Sequence, residues 1–95
     1  MSAGQVWRRH DGLLWVEVQT EGVEPSGWRL VVPVVEADEA VAAPPLVVAV
    51  GRWHARVHLV TGVPDHALGE PLGALTRAQT DLLRDAVTAL VRPPG

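Results

Sequence analysis

The hydrophobic residues of this chain repeat with two different periods, and the change comes near residue 76. In Leu13 to Thr20 and in Trp53 to Val60, apolar residues alternate with other residues, which is the period of a β-strand with two unlike faces. After Thr76 the period is that of a helix, carried by Ala78, Leu82, Leu83, Ala86, Val87 and Leu90. The pattern predicts a strand-rich body followed by one amphipathic C-terminal helix.

A capping motif marks the start of this helix. In Thr76-Arg77-Ala78-Gln79, the hydroxyl and the side-chain amide can each pair with a backbone amide that the end of a helix leaves without a partner. Pro93 and Pro94 cannot continue a helix. We therefore expect the helix at about residues 76–91.

Turn-forming residues divide the rest of the chain into short strands. His10-Asp11-Gly12 predicts a tight hairpin, because Asp-Gly tolerates the positive φ of such a turn. Pro33 removes a ladder donor from its strand, which predicts a bulge or an edge position. Residues 61–73 are rich in Gly and Pro and leave room for at most one short strand. Further strands are expected at Gln5–Arg9, Trp28–Glu36 and, as a buried strand, Leu46–Val50.

Length and composition exclude several classes of protein. A chain of 95 residues predicts a single domain, here a small, strongly bent sheet or barrel with one helix. The absence of cysteine excludes disulfides, Cys-ligated zinc and a thiol nucleophile. The longest apolar run, Ala40 to Val50, contains two prolines and is too short to span a membrane. Arg8 and Arg9 are not followed by the apolar segment of a signal peptide, so we expect a cytoplasmic protein without membrane contact.

The polar residues His54, Arg56 and His58 alternate along one predicted strand. They predict either a contact face for phosphate or an acidic partner, or an ordinary solvated face. His54 and His58 would lie about 13 Å apart at the rise of a strand. Zinc ligands lie about 2 Å from the ion, so these two imidazoles cannot share one. No metal site and no cofactor are predicted.

The segment GVEPSGWR at residues 22–29 is a second candidate site. Gly22 and Gly27 permit an unusual backbone turn, and Glu24 and Arg29 lie near its two ends. A carboxylate beside a guanidinium fits an acid–base group next to a phosphate clamp, or a simple surface ion pair.

The aromatic residues are four tryptophans, which predict core or dimer packing or else a platform for base stacking. The net charge of −3 argues against general nucleic-acid binding, although several arginines cluster in the first sixty residues.

An ordered series of segments resembles the CcdB toxins of bacterial type II toxin–antitoxin systems. LLWVEVQTEGVEPSGWRLVVPVVEADE (residues 13–39) resembles their early strands, LVVAVG (46–51) a later strand, and VPDHALGEPLGALT (63–76) the approach to their final helix. The resemblance implies an SH3-like small barrel with a C-terminal helix, usually a homodimer. It also implies a growth-inhibiting toxin that acts on DNA gyrase and is held in check by the disordered tail of a cognate antitoxin.

The chain also resembles the related MazF endoribonuclease toxins, including Kid and the PemK-like proteins. Gly22, Glu24, Gly27 and Arg29 match their G-x-E-x-x-G-x-R loop. This resemblance implies metal-independent cleavage of mRNA, with Arg29 stabilising the phosphate and Glu24 as a loop acid. We add His54 or His58 as a candidate base, because imidazole ordinarily exchanges protons near neutral pH. The expected substrate or partner face comprises Gly22, Gly27, Trp28, Arg52 and Arg56.

The chain departs from both families at particular residues. CcdB toxins contact the gyrase A subunit through a terminal Trp-Gly-Ile, whereas this chain ends in Arg92-Pro93-Pro94-Gly95. The Arg-Pro of MazF is Arg29-Leu30 here, and its later hydroxyl residue falls at about Gly51. The longer resemblance favours a CcdB-like toxin as the main interpretation. A MazF-like endoribonuclease and an inactive, antitoxin-binding module of the same fold are the alternatives.

Overall fold

The computed structural model describes residues 4–18, 27–36 and 46–91. Within these residues the chain forms seven strands and a C-terminal α-helix. The elements are β1 (Gln5–Arg8), β2 (Leu14–Glu17), β3 (Trp28–Glu36), β4 (Val47–Val50), β5 (Trp53–Arg56), β6 (Thr61–Pro64), β7 (Glu70–Ala74) and α1 (Arg77–Val91). The predicted fold class, mainly β with one C-terminal helix, is confirmed.

The hairpin between β1 and β2 forms where the sequence predicts it. The amide of Gly12 donates to the carbonyl of Arg9 at 2.9 Å, and the amide of Arg9 donates to the carbonyl of Leu13 at 2.8 Å. Gly12 has φ +92°, which an L side chain rarely adopts. The Asp-Gly signal therefore fixes this turn for the expected physical reason.

The central strand of the sheet is β3. The strand order is β4-β5-β3-β2-β1-β7, and β6 also pairs with β3. On one side β3 pairs with β2, while on the other side its residues 28–31 pair with β6 and its residues 34–36 pair with β5. Pro33 lies where the second neighbour changes from β6 to β5, and it continues the β2 register opposite Trp15. The prediction that Pro33 lies at a sheet edge or a bulge is therefore wrong. Proline has no backbone N–H to donate, and at Pro33 none is needed on the side where β6 ends and β5 begins.

Three other predictions in residues 46–74 need correction. β4 is an edge strand in which Val50 is buried and the other residues are partly exposed, so it is not a buried strand. The strand predicted to end at Val60 ends at Arg56 and continues as the 3₁₀ turn Val57–Leu59. Residues 61–73 contribute to two strands, because pairing with β3 and β1 supplies hydrogen bonds that local Gly and Pro content does not reveal.

The helix α1 begins at the predicted capping motif. The Thr76 amide donates to the Gln79 side-chain oxygen at 2.9 Å, and the Gln79 amide donates to the Thr76 hydroxyl at 3.1 Å. Leu83 is fully buried, whereas Leu82 is 49% exposed. The apolar stripe that faces the sheet is therefore narrower than the sequence pattern predicts. No helix in the described residues is long and apolar enough to cross a membrane.

Two hydrophobic clusters lie on opposite faces of β2 and β3, since successive residues of a strand point to opposite sides. The larger cluster contains α1 through Leu83, together with Val6, Val16, Val18, Val32, Val34, Val50, Trp53, Ala55 and Val57. The smaller cluster contains Trp15, Val31 and Leu68, with Trp7 and Val63 packed against it. The candidate site lies at this smaller cluster.

Candidate functional site

A fully buried carboxylate lies at the centre of the smaller cluster. Glu17, the last residue of β2, has no exposed surface. Its Oε1 accepts a hydrogen bond from Trp7 Nε1 at 3.2 Å, and its Oε2 lies 3.1 Å from Arg29 Nη1. A buried charge is tolerated only when paired and hydrogen-bonded, so Glu17 depends on Arg29.

The guanidinium of Arg29 joins two carboxylates from different parts of the chain. Its Nη1 bonds Glu17, and its Nε donates to Asp65 Oδ1 at 2.7 Å. The hydrogen bond with Asp65 raises the pKa of Arg29 above its ordinary value, and the charge of Glu17 adds to this effect. Arg29 is therefore a permanent cation that ties β2 and β3 to the segment after β6.

That segment is a 3₁₀ turn, Asp65–Ala67, which is anchored at both ends. The Asp65 amide donates to the Gly27 carbonyl at 3.0 Å, beside the Arg29–Asp65 ion pair. After the turn, Leu68 is buried and its carbonyl accepts a hydrogen bond from Trp15 Nε1 at 2.9 Å. These contacts hold the turn, and with it His66, against the smaller cluster.

An open groove of about 570 Å³ lies beside the turn. It continues into a second hollow of about 320 Å³ that also involves Arg8, Gly12 and Glu70. The first groove is lined by Arg9, His10, Trp15, Thr61, Val63, His66, Ala67 and Gly69. Its lining thus combines apolar surface with a guanidinium and two imidazoles.

The cations at this groove are partly neutralised by carboxylates. Arg9 lies over the ring of Trp15, 5.3 Å from its centroid, and is held by both carboxylate oxygens of Asp11. The Arg9 guanidinium holds the pKa of Asp11 below its ordinary value. Arg8 pairs with Glu70 at 3.1 Å between two exposed side chains. The groove therefore presents arginines in fixed positions without a large net positive charge.

The structure brings some of the residues predicted for the GVEPSGWR segment to this site. Arg29 lies at its centre, and Gly27, with φ +80°, supplies the carbonyl that anchors the 3₁₀ turn. Trp28 is 51% exposed at the start of β3, opposite Pro64. Gly22 and Glu24 lie outside the described residues, as does the end of the chain, Arg92, Pro93, Pro94 and Gly95.

The predicted histidines are not beside Arg29. His54 pairs with Val35 of β3, six residues and therefore about 20 Å from Arg29 along the strand. Its Nδ1 is buried and has no hydrogen-bond partner in the part of the chain that the structure describes. His58 belongs to the 3₁₀ turn after β5, where its Nδ1 lies 3.3 Å from the Leu46 carbonyl oxygen. The expected single strand face is wrong, because β5 ends before His58.

The predicted partner residues Arg52 and Arg56 lie before and at the end of β5, away from Arg29. Arg52 pairs with Glu36 at 3.1 Å and stacks over Trp53, 4.6 Å from the ring centroid. Arg56 is exposed at the end of β5, opposite Val47. They share an end of the sheet with His54, not with Arg29.

Gly51, where the MazF resemblance places a hydroxyl residue, occupies a tight turn. Its φ is +58°, and a Cβ there would lie 2.6 Å from Gln79 Nε2. Gln79 is the side chain that caps α1. A larger residue at this position would therefore disturb the cap of the helix.

The sequence predicts no functional role for Glu17, Asp65, His10 or His66. Glu17 looked like an outward-facing polar residue of an alternating strand, and Asp65 and His66 lay in a segment expected to be a connection. His10 was part of a turn signal. In residues 4–18, 27–36 and 46–91, no group of three or more His, Cys, Asp or Glu side chains is arranged to hold a metal ion.

The comparison with known proteins finds similarity at the level of structure. Neither the protein-family models nor the curated protein sequences give a match. A solved endoribonuclease from a mycobacterial species is similar over 100% of this chain and 95% of its own, with 20% identity and a TM-score of 0.80. An endoribonuclease in complex with its cognate antitoxin, also mycobacterial, is similar over 99% of both chains, with 18% identity and a TM-score of 0.78. At this identity the likeness establishes the shared fold.

Proposed function

We propose that this protein is a metal-independent endoribonuclease and the toxin of a toxin–antitoxin pair. The observation that carries the proposal is the match of the whole chain to two endoribonuclease structures, one of them bound to its antitoxin. The groove beside Arg29 supports it, because arginines and imidazoles suit a phosphodiester substrate. The partners would be RNA, the tail of a cognate antitoxin and a second copy of the chain.

The role proposed for Arg29 differs from direct phosphate binding. Its Nε and Nη1 are directed at carboxylates, and its side chain is 19% exposed. We infer that Arg29 is a positioning residue, which holds the 3₁₀ turn and thereby one wall of the groove. A substrate phosphate would instead meet the side chains that line the groove itself.

The CcdB-like gyrase inhibitor is the less supported candidate. The matched structures are described as endoribonucleases. An inactive antitoxin-binding module predicts the same fold and the same antitoxin complex but no cleavage.

Expression and cleavage experiments separate these functions. Induction of the gene alone should arrest growth, and co-expression with the gene directly upstream, if it encodes the antitoxin, should restore growth. The purified protein should cut a mixed-sequence RNA into discrete fragments in the presence of EDTA. Co-purification with the gyrase A subunit and intact RNA would favour the CcdB-like function. Antitoxin binding without growth arrest would favour the inactive module.

A further inference from the structure

The four histidines of the chain fall into two pairs at separate places in the fold. His10 and His66 both line the groove beside the Arg29 cluster. His54 pairs with Val35 near the other end of β3, and His58 lies in the 3₁₀ turn that follows β5. The sequence favours the second pair as candidate bases, whereas the structure places the first pair together in one groove.

Two separate segments of the chain carry the groove histidines, and both segments are held in place. His10 lies in the hairpin turn that the Arg9 and Gly12 backbone bonds close. His66 lies in the 3₁₀ turn that Arg29 and Trp15 anchor. Both imidazoles are exposed to solvent, so a ligand can reach them without a change in the fold.

The remaining lining fits a nucleotide. A volume of about 570 Å³ lies within the range of small-molecule sites. Val63 and Ala67 supply partly exposed apolar surface for a base. Arg9, whose Nε and Nη2 are held by Asp11, adds a positive charge at the same groove. Charged groups around the two imidazoles are Arg8, Arg9, Asp11, Asp65 and Glu70.

We propose that single-stranded RNA binds in this groove with its scissile phosphate between His10 and His66, which act as the general base and general acid. One imidazole takes the proton of the 2′-hydroxyl as its oxygen bonds to phosphorus. The other gives a proton to the 5′-oxygen as the P–O5′ bond breaks. The products are a 2′,3′-cyclic phosphate and a 5′-hydroxyl, and no oxidant, metal or second substrate is consumed. This inference rests on the proposed ribonuclease function.

The test compares glutamine variants of all four histidines on a labelled mixed-sequence RNA in EDTA. His10→Gln and His66→Gln should each lower the cleavage rate by about 100-fold or more, since general acid–base catalysis typically contributes that much. Each should also remove one limb of the pH–rate profile. His54→Gln and His58→Gln are the matched controls and should cleave like the parent protein. Thermal unfolding of each variant shows whether it is folded.

A binding measurement separates the failure of this inference from the failure of the proposed function. In the parent protein, titration with a 2′-O-methyl RNA, which cannot be cut, should shift the imidazole NMR signals of His10 and His66 and leave those of His54 and His58. Cleavage that survives in the His10 and His66 variants would overturn the inference and leave the ribonuclease function standing. RNA left intact by the parent protein would overturn both the function and the catalytic roles, and the titration would then show whether the groove binds RNA at all.

Discussion

The two ends of β3 each carry an arginine–carboxylate pair, and the two pairs differ in burial. At the start of the strand, Arg29 is 19% exposed and its partner Glu17 has no exposed surface. At the end, the side chains of Arg52 and Glu36 are 70% and 44% exposed. Both pairs have an N···O distance of 3.1 Å, so burial, and not geometry, distinguishes them.

Burial changes what each pair does. An exposed pair is solvated with or without its partner and contributes little to stability. The Glu17 carboxylate has no exposed surface, and it accepts hydrogen bonds from Trp7 and Arg29 inside the protein. Arg29 also bonds Asp65, so the buried pair holds the 3₁₀ turn Asp65–Ala67, whereas the Arg52 pair joins the turn before β5 to the end of β3.

The largest expected difference between the two ends comes from removing the arginine. Arg29→Ala should lower the free energy of unfolding by about 3–5 kcal/mol, because it removes one partner of a buried ion pair. Arg52→Ala, the matched control, should cost about 0–1 kcal/mol. Urea denaturation followed by tryptophan fluorescence measures both. Equal losses would show that burial does not distinguish the pairs.

Neutralising the carboxylate should give a smaller difference of the same kind. Glu17→Gln keeps an oxygen for Trp7 but turns an amide donor toward Arg29, at a cost of about 1–3 kcal/mol. Glu36→Gln should change stability by less than about 0.5 kcal/mol, as surface substitutions usually do. Urea denaturation of the two variants, followed by tryptophan fluorescence, measures both changes. A Glu17→Gln variant as stable as the parent protein would show that the buried pair does not depend on the charge of Glu17.

The sequence predicts the local elements of the fold better than it predicts the pairing between strands that are distant in sequence. Local signals predict the bounds of β3, the hairpin turn at Gly12 and the cap of α1. These signals are a segment apolar on both faces, the Asp-Gly pair and the capping motif. The strands β6 and β7 do not, because their stability comes from pairing with β3 and β1. The local composition of residues 61–73 does not indicate that these residues pair with β3 and β1.

The candidate site was predictable only in part, for the same reason. Arg29 was found through a loop motif, but its partner Asp65 is distant in sequence and is brought near by the pairing of β3 with β6. Glu17 fits the alternation of β2, and alternation alone does not show that both faces of the strand are covered. The groove histidines belong to two turns, which periodicity does not describe.

A third variant tests whether the buried end positions the groove. Asp65 is 51% exposed, so Asp65→Ala should cost at most about 1 kcal/mol of stability. It should nevertheless slow RNA cleavage, since a shift of about 1 Å in a catalytic group can cost 100-fold. Glu36→Ala, the control at the other end, should leave cleavage unchanged. If Arg29 bound phosphate directly, Asp65→Ala would release it and cleavage would be retained or would increase.

The smallest effect is expected from a third arginine pair, Arg9–Asp11, in which both side chains are partly exposed. The hydrogen bond from Arg9 lowers the pKa of Asp11 in the folded protein below its ordinary value of 3.8. The stability that this pair adds is therefore present above the ordinary pKa and is lost as the pH falls through the lowered pKa.

An NMR titration of the Asp11 carboxyl carbon should show the lowered pKa. Arg9→Gln should return the pKa of Asp11 toward its ordinary value. Arg8→Gln is the control: it removes the neighbouring arginine, which pairs with Glu70, and should leave the pKa of Asp11 unchanged. If the pKa of Asp11 is the same in the Arg9→Gln variant, solvent screens even this contact through two hydrogen bonds. The Arg9–Asp11 pair would then resemble the exposed Arg52–Glu36 pair and not the buried Arg29–Glu17 pair.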